Sequence, residues 1–354
     1  MSGLWWISNC LLFNKLGEKT EHFEEYKKQT EPEKYKKAEN CGIAIGLQQV
    51  DNLTPSKYLI EVAKDNIEGK ISIDEAGEQV SRYYQKNPAK TVQEHNEKEA
   101  DEVSARIAKL LSTHTFSFSP AELISIHKVL FTGILDKEIA GKIRTYDITK
   151  KEPILNGDTV VCGRADSILE TLDYDFAQEK KFNYKGLSKR EKVEQLAKFT
   201  SGIWQIHPFG ESNTRTTAVF IIKYLYTLGF STNNDMFEAY SKYFRNALVR
   251  ANYQNLDKDI YYTYEYLNKF FGNLLLGENN LLDNREMQIK SNVESKEKIM
   301  RFISENPQIT TNQLAELANL SIAGVEKNLR QLKEQNLIRR VGPDKGGHWE
   351  VLDK

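Results

Sequence analysis

Along most of the chain, apolar side chains recur three and four positions apart, the spacing that lines up one face of an α-helix. The windows 57–66, 74–85, 95–113, 120–132, 189–206, 214–229, 235–253 and 259–277 all carry it, with Ser, Thr, Asp or Pro near their starts. The bulk of the chain therefore reads as an α-helical bundle. One stretch breaks the period: RTYDITKKEPILNGDTVVCG, 144–163, alternates short β-prone runs around Asn156-Gly157, the pair best suited to a tight hairpin turn. After Leu282 the residues turn polar (LDNREMQIKSNVESKEK), predicting a linker or an exposed helix. A helix over 295–305, TTNQLAELANL capped by Thr310 or Thr311, and SIAGVEKNLRQLKEQN capped by Ser321 come next, and then two short strands around Pro343-Asp-Lys-Gly-Gly. Three helices and a hairpin is the winged helix-turn-helix order.

At 354 residues the chain holds two or three such units, and its 40% hydrophobic and 28% charged residues suit a globular protein. The net charge of −1 sets up no global field toward nucleic acid or an anionic membrane, so any polyanion site is local. Cys10, Cys41 and Cys162 lie far apart without a CxxC pair, which argues against a zinc or disulfide framework and fits a cytoplasmic protein. The opening MSGLWWISNCLLFNKLGEK lacks a basic leader and a small-residue cleavage site, and is too short and polar to span a bilayer. It reads as a first packed strand or helix, and no membrane partner is expected. The lysines at 27, 28, 36 and 37 alternate with glutamates and read as a solvated helix face.

Candidate chemistry gathers in HPFGESNTR, 207–215, at the entrance of the apolar run AVFIIKYLYTLGF. A helix starting there offers unpaired N–H groups and the positive end of its dipole, a site for phosphate. Gly210, Ser212, Asn213 and Thr214 are small enough for a diphosphate to approach, and Arg215 can hold a phosphate oxygen with its fork. Glu211 sets a carboxylate beside that anion, which calls for a cation between them; Mg²⁺ bridging one carboxylate to substrate phosphates fits. His207 closes a helix whose apolar face holds Val193, Leu196, Phe199, Ile203 and Trp204, and its imidazole can take a proton from a hydroxyl. Phe209 reads as the buried anchor of the turn. The other histidines show no ligand spacing, and His127 reads as a core or hydrogen-bonded residue.

This motif resembles that of the Fic family, HxFx(D/E)GNGRxxR, and the resemblance extends to IHKVLFTGI…AGKIRTYDI at 126–148 and YFRNALVRANY at 243–253, across roughly residues 100–275. The resemblance implies a mainly α Fic-fold bundle with a β-hairpin flap, and transfer of AMP from ATP, as co-substrate with Mg²⁺, to a Ser, Thr or Tyr hydroxyl of a protein. It implies His207 as general base, Glu211 as Mg²⁺ ligand, and Asn213 and Arg215 as phosphate ligands. The hairpin at 144–163 is similar to the family's flap, which docks an extended segment of a protein substrate by strand addition. Asn252 matches the position that contacts adenosine, with Phe244 lining the same pocket. The cradle residues Phe209, Gly210, Ser212 and Thr214 complete the expected nucleotide site.

Three positions depart from the family. Ser212 and Thr214 stand where glycines are usual, and Ala218 stands where a second arginine holds the γ-phosphate and pairs with a glutamate of an inhibitory helix. The matching segment here, IGLQQVDNLTPS at 45–56, carries Asp51 in place of that glutamate. It lies in a region, 43–86, similar to the antitoxin-type domain of Fic proteins. With both partners of the pair changed, glutamate-type autoinhibition is expected to be absent or to rest on other contacts.

The expected organisation is a helical regulatory region over 1–100, a Fic core over 101–280, a linker at 281–294 and a winged helix over 295–354. Two other readings stand beside the transferase. One is transfer of another nucleotide or a phosphoryl group. The other is a DNA-binding or protein-binding regulator with a vestigial core, acting through Lys327, Asn328, Arg330, Lys333, Arg339, Arg340 and Lys345, whose charge Glu326, Glu334 and Asp344 dilute. The sequence also leaves a homo-oligomer open.

Overall fold

The computed structural model describes residues 22–28, 31–230, 235–256, 260–289, 292–318, 320–343 and 346–352. The N-terminal segment read above as a first packed element, with Cys10, lies outside the described residues, as do Asp344 and Lys345 of the wing. The chain divides into two compact units. One comprises the chain up to Thr149, Val161–Asn252 and Thr263–Asn284; the other comprises Lys150–Val160, Tyr253–Tyr262 and the chain from Arg285 onward.

The first unit is helical: α1 (Pro32–Gly46), α2 (Lys57–Ile67), α3 (Ile73–Lys86), α4 (Val92–Ser112), α5 (Pro120–Phe131), α6 (Ile168–Lys181), α7 (Lys189–Ile206), α8 (Asn213–Thr227), α9 (Asp235–Ala251) and α10 (Glu265–Leu276). Their starts follow from capping. Ser72, Thr91 and Ser188 each form a reciprocal box with a glutamate three residues on. Ser56 and Ser119 cap α2 and α5, the latter with Pro120 in the first turn. Each cap contributes about 1 kcal/mol, enough to fix where the periodic pattern begins.

Helix α8 is the hub, buried at every residue from Asn213 to Leu225. Such burial requires its polar groups to find partners inside the protein. The Thr216 hydroxyl bonds the Ser212 carbonyl at 3.0 Å. The Lys223 ammonium donates to the carbonyls of Leu110 and Thr113 at 2.7 and 3.0 Å, closing the C-terminal end of α4, and burial lowers its pKa. Helix α1 crosses α9 at close range, since a Cβ on Gly46 would stand 2.4 Å from the Glu238 Cα. Beside that crossing, Lys27 pairs with Glu238 at 2.6 Å with its side chain nearly enclosed, so this lysine is not on a solvated face.

Several elements differ from the sequence pattern. The segment 45–56 is not one helix: α1 ends at Gly46, a 3₁₀ helix follows over Leu47–Asp51, and Asn52 closes it in the left-handed region at φ 57°. Helix α10 begins only at Glu265, because 261–264 carry no helical bonding. Helix α6 answers to no helix in the reading above, although Ile168, Leu172 and Phe176 bury one face at a spacing of four.

The second unit holds the winged-helix hairpin and, apart from Thr149 and Val161, another hairpin. β1 (Thr149–Lys151) pairs with β2 (Thr159–Val161), but Asn156-Gly157 is not a two-residue tip. A 3₁₀ turn, Pro153–Leu155, intervenes, and Asn156 and Gly157 close it at φ 53° and 88°. The winged helix consists of α11 (Asn292–Glu305), α12 (Thr311–Ala318), α13 (Ile322–Glu334), β3 (Ile338–Val341) and β4 (His348–Val351), the strands pairing antiparallel with Val341 opposite His348. Thr310 and Ser321 cap α12 and α13 as expected. Ile299, Ile303, Leu314, Val325, Leu329 and Trp349 form the core. Among the described residues no helix is long and apolar enough to cross a membrane.

Candidate active site

Helix α7 ends by turning His207 into the left-handed region, φ 47° and ψ 63°, a conformation usually left to glycine. The turn is held from within: the His207 N–H and its Nδ1 both reach the Trp204 carbonyl, at 3.1 and 2.6 Å. A carbonyl only accepts, so Nδ1 carries the hydrogen and Nε2 is the basic nitrogen of the neutral ring. The ring stands edge-on to Trp204, 4.6 Å between centroids.

The following loop is anchored by Phe209, which is 1% exposed and stacks 3.8 Å from the ring of His127. His127 is fully buried. Its Nδ1 accepts the Gly141 N–H at 2.8 Å, which leaves Nε2–H to donate to the Glu211 carbonyl at 3.3 Å. Burial, with Arg215 nearby, pushes this imidazole down to about 4, so it is a neutral hydrogen-bonded core residue, as the sequence suggested. Asn213 closes the loop from the other side: its Oδ1 accepts from the Phe209 N–H at 3.0 Å and its Nδ2 donates to the Phe209 carbonyl at 2.8 Å. The amide expected on phosphate is thus committed to the loop itself. Gly210 admits the Tyr146 hydroxyl, which would stand 2.7 Å from a Cβ there.

Ser212 keeps a glycine-like backbone at φ 58°, and its hydroxyl accepts from Arg215 Nη2 at 2.9 Å. The Thr214 hydroxyl accepts the Trp204 indole N–H at 2.9 Å, tying the start of α8 to the end of α7. Both side chains that replace glycines are therefore held beside the cradle by neighbours. Glu211 projects its carboxylate into solvent. Among the described residues no group of three or more His, Cys, Asp or Glu is set to hold a metal. One exposed carboxylate fits a cation that arrives with a phosphate ligand, not a resident metal.

Arg215, 2% exposed, is surrounded by the chain's own groups. Nη1 donates to Gln48 Oε1 at 2.9 Å, Nη2 to Glu99 Oε1 at 2.6 Å, and the guanidinium lies over the Phe131 ring at 4.9 Å. Nε lies 2.8 Å from Asp51 Oδ2 without directional hydrogen-bond geometry, so that contact is charge pairing. The expectation that Asp51 had lost its arginine is corrected here: the first motif arginine takes the place of the second. Ala218 is fully buried, part of the packed interior of α8.

His207 and the cradle at 209–215 are thus brought together by one turn. Asn252 donates to the Ser201 hydroxyl at 2.9 Å, against α7 about 9 Å of helix before His207. Phe244 is not a pocket lining: it is fully buried among Phe237, Phe270 and Phe271, because α9 and α10 pack through these rings. The reading from sequence missed Gln48, Glu99 and Trp204 as neighbours of the cradle. It also missed Arg144, which touches the loop from the 144–146 segment.

In the winged helix, the exposed face of α13 mixes Lys327, Arg330 and Lys333 with Glu326 and Glu334. Asn328 is not a surface contact: it is 6% exposed, and its amide donates to the Gly324 carbonyl. Lys333 and Arg340 lie over the Trp349 ring, each at 5.0 Å, and Arg339 pairs with Glu350 at 2.6 Å. Much of the basic charge is thereby engaged within the unit.

Residues 117–225 match the family described as Fic/DOC, and residues 294–339 match the winged helix-turn-helix DNA-binding family. Among curated proteins none matches the chain. Several solved structures are similar, among them the following three. A Fic family protein from Desulfovibrio desulfuricans aligns over 100% of this chain and 98% of its own at 15% identity, TM-score 0.46. The N-terminal FIC domain of a VirB-translocated effector from Bartonella sp. 1-1C aligns over 54% and 88% at 21% identity, TM-score 0.43. BepC, a VirB-translocated effector of Bartonella tribocorum with bound AMPPNP, aligns over 53% and 90% at 20% identity, TM-score 0.40.

Proposed function

From the premise that the chain is a Fic/DOC family protein with a C-terminal winged helix-turn-helix domain, we propose that it transfers AMP from ATP to a hydroxyl of a protein, itself included. The observation that carries this reading is the turn at 206–213. It fixes the hydrogen of His207 on Nδ1, toward Trp204, and keeps Nε2 as the basic nitrogen six residues before the start of α8. In the proposed reaction Nε2 takes the acceptor's hydroxyl proton, the acceptor oxygen bonds the α-phosphorus, and the bond to the bridging oxygen breaks to release pyrophosphate. The start of α8 and Arg215 would hold the phosphates, and Glu211 would hold Mg²⁺, which when bound neutralises phosphate charge. The described contacts of Arg215 then belong to a resting form in which Asp51, Gln48 and Glu99 occupy the phosphate clamp.

Within this reading, residues up to 100 regulate a core over 101–280, the segment 281–294 links it to the winged helix at 295–354, and the hairpin at 144–163 receives the protein substrate. Adenosine would lie toward Asn252. The test is incubation with α-labelled ATP and a lysate, comparing wild type with His207→Ala and Glu211→Ala. Label should appear on protein with wild type and be lost with either variant. Label that survives His207→Ala removes the base from the account, and label from γ-labelled ATP alone favours phosphoryl transfer.

A second reading follows from the winged helix. The mixed charge of α13 and the engaged arginines of the wing favour a protein-contact module over a DNA reader. Binding to random duplex DNA at low salt separates the two, since a DNA reader would bind with a steep salt dependence.

A further inference from the structure

The five backbone carbonyls from Trp204 to Pro208 leave the end of α7 pointing into the turn that carries His207, and each has a donor. Trp204 receives the N–H and Nδ1–H of His207, and Gln205 receives the Gly163 N–H at 3.1 Å. The remaining three are served by a single residue. Arg144 donates Nη2 to Ile206 at 3.1 Å, Nε to His207 at 2.6 Å and its own N–H to Pro208 at 2.9 Å. Its guanidinium also reaches the carbonyls of Tyr146, at 2.6 Å, and Gly163. The side chain is fully enclosed, and its nearest carboxylate, Asp147, lies 3.8 Å away and 72% exposed. A buried cation is therefore balanced chiefly by carbonyl oxygens at a helix end, where the dipole is negative.

We propose that Arg144 is the positioning residue of His207. It touches neither ring nitrogen. By holding the carbonyls on both sides of the left-handed residue, it keeps the ring edge-on to Trp204 with the hydrogen on Nδ1 and the basic nitrogen on Nε2. The planar fork matters as well as the charge, because one ammonium cannot span carbonyls from three segments. The proposal concerns the state of the ring and rests on the transferase reading only for its kinetic consequence.

The test is the tautomer of His207 in long-range ¹H–¹⁵N spectra of the full chain, assigned with His207→Ala. Wild type should show the Nδ1–H form. Arg144→Gln should lose it for a mixture of tautomers and shift the ring's titration, while the helical circular dichroism is kept; Arg144→Lys should restore it only in part. Where wild type transfers label, Arg144→Gln should lower transfer by about 100-fold, the scale of an ångström's misplacement. A folded Arg144→Gln protein with an unchanged ring overturns the proposal, even if transfer falls. A disturbed ring in a chain whose wild type transfers no label leaves the proposal standing and removes the transferase reading. Should the glutamine variant not fold, proton exchange in wild type decides: Arg144 Nε–H and His207 Nδ1–H should exchange through one common opening, and independent rates overturn the link.

Discussion

Asp51 and Arg215 meet at 2.8 Å, so the guanidinium on the first turn of α8 is paired with a carboxylate from a 3₁₀ turn in the N-terminal region. Gln48 from the same turn and Glu99 from α4 complete the ring around it. A guanidinium held by two carboxylates is a poorer phosphate clamp than a free one, because anion binding must first displace them. Removing Asp51 should shift that competition. We predict that Asp51→Ala strengthens binding of a nucleoside triphosphate by about tenfold, equivalent to ~1.4 kcal/mol, read by titration calorimetry. Self-labelling should rise in parallel, and unchanged affinity would show that Glu99 and Gln48 hold the arginine without help.

His127 gives the site a pH signature. Its folded pKa, pushed down to about 4 by burial, lies below the ordinary value of 6.5. Between these values the unfolded chain binds a proton that the folded chain refuses. The stability tied to this neutral ring is therefore fully present above pH 6.5 and lost as pH falls toward 4, up to ~3 kcal/mol. Urea midpoints from pH 7 to 4 should fall less steeply for His127→Gln than for wild type, although the variant starts lower because it loses the stack on Phe209.

What the sequence made legible follows from distance along the chain. His207, Phe209, Ser212, Asn213 and Arg215 lie within one short stretch of chain, and short-range spacing gives their order. The start of α7 was legible, because the Ser188 cap precedes a glutamate at the head of the periodic run, whereas α4 begins at Val92 after its Thr91 cap, three residues before its apolar period shows at 95. The ring around Arg215 was not, since Gln48 and Glu99 come from elements far upstream and nothing local marks them as its partners. Arg144 was hidden for another reason. Its ligands are backbone carbonyls, which every sequence supplies and no residue type announces.

Phe244 separates packing from recognition. Its ring lies 5.2 Å from Phe237 and 5.1 Å from Phe270, wholly enclosed. Phe244→Ala should destabilise the first unit by about 3–5 kcal/mol, as large-to-small changes in a core do. Its effect on nucleotide binding should then be the same for ATP and GTP below the shifted melting temperature. A change in base preference would return Phe244 to the pocket.

At Ser212 two opposing contributions to stability meet. At φ 58° a side chain costs about 1 kcal/mol that glycine does not incur. Glycine also raises the entropy of the unfolded chain by roughly 0.4–1 kcal/mol. These nearly cancel, and the lost hydroxyl acceptor for Arg215 is partly replaced by Gln48 and Glu99. Ser212→Gly should therefore leave the melting temperature almost unchanged. It also removes a hydroxyl beside the first turn of α8, where a phosphate needs close approach to backbone N–H groups. Nucleotide affinity should rise while stability holds, and a fall in affinity would mean that the Ser212 hydroxyl itself bonds the phosphate.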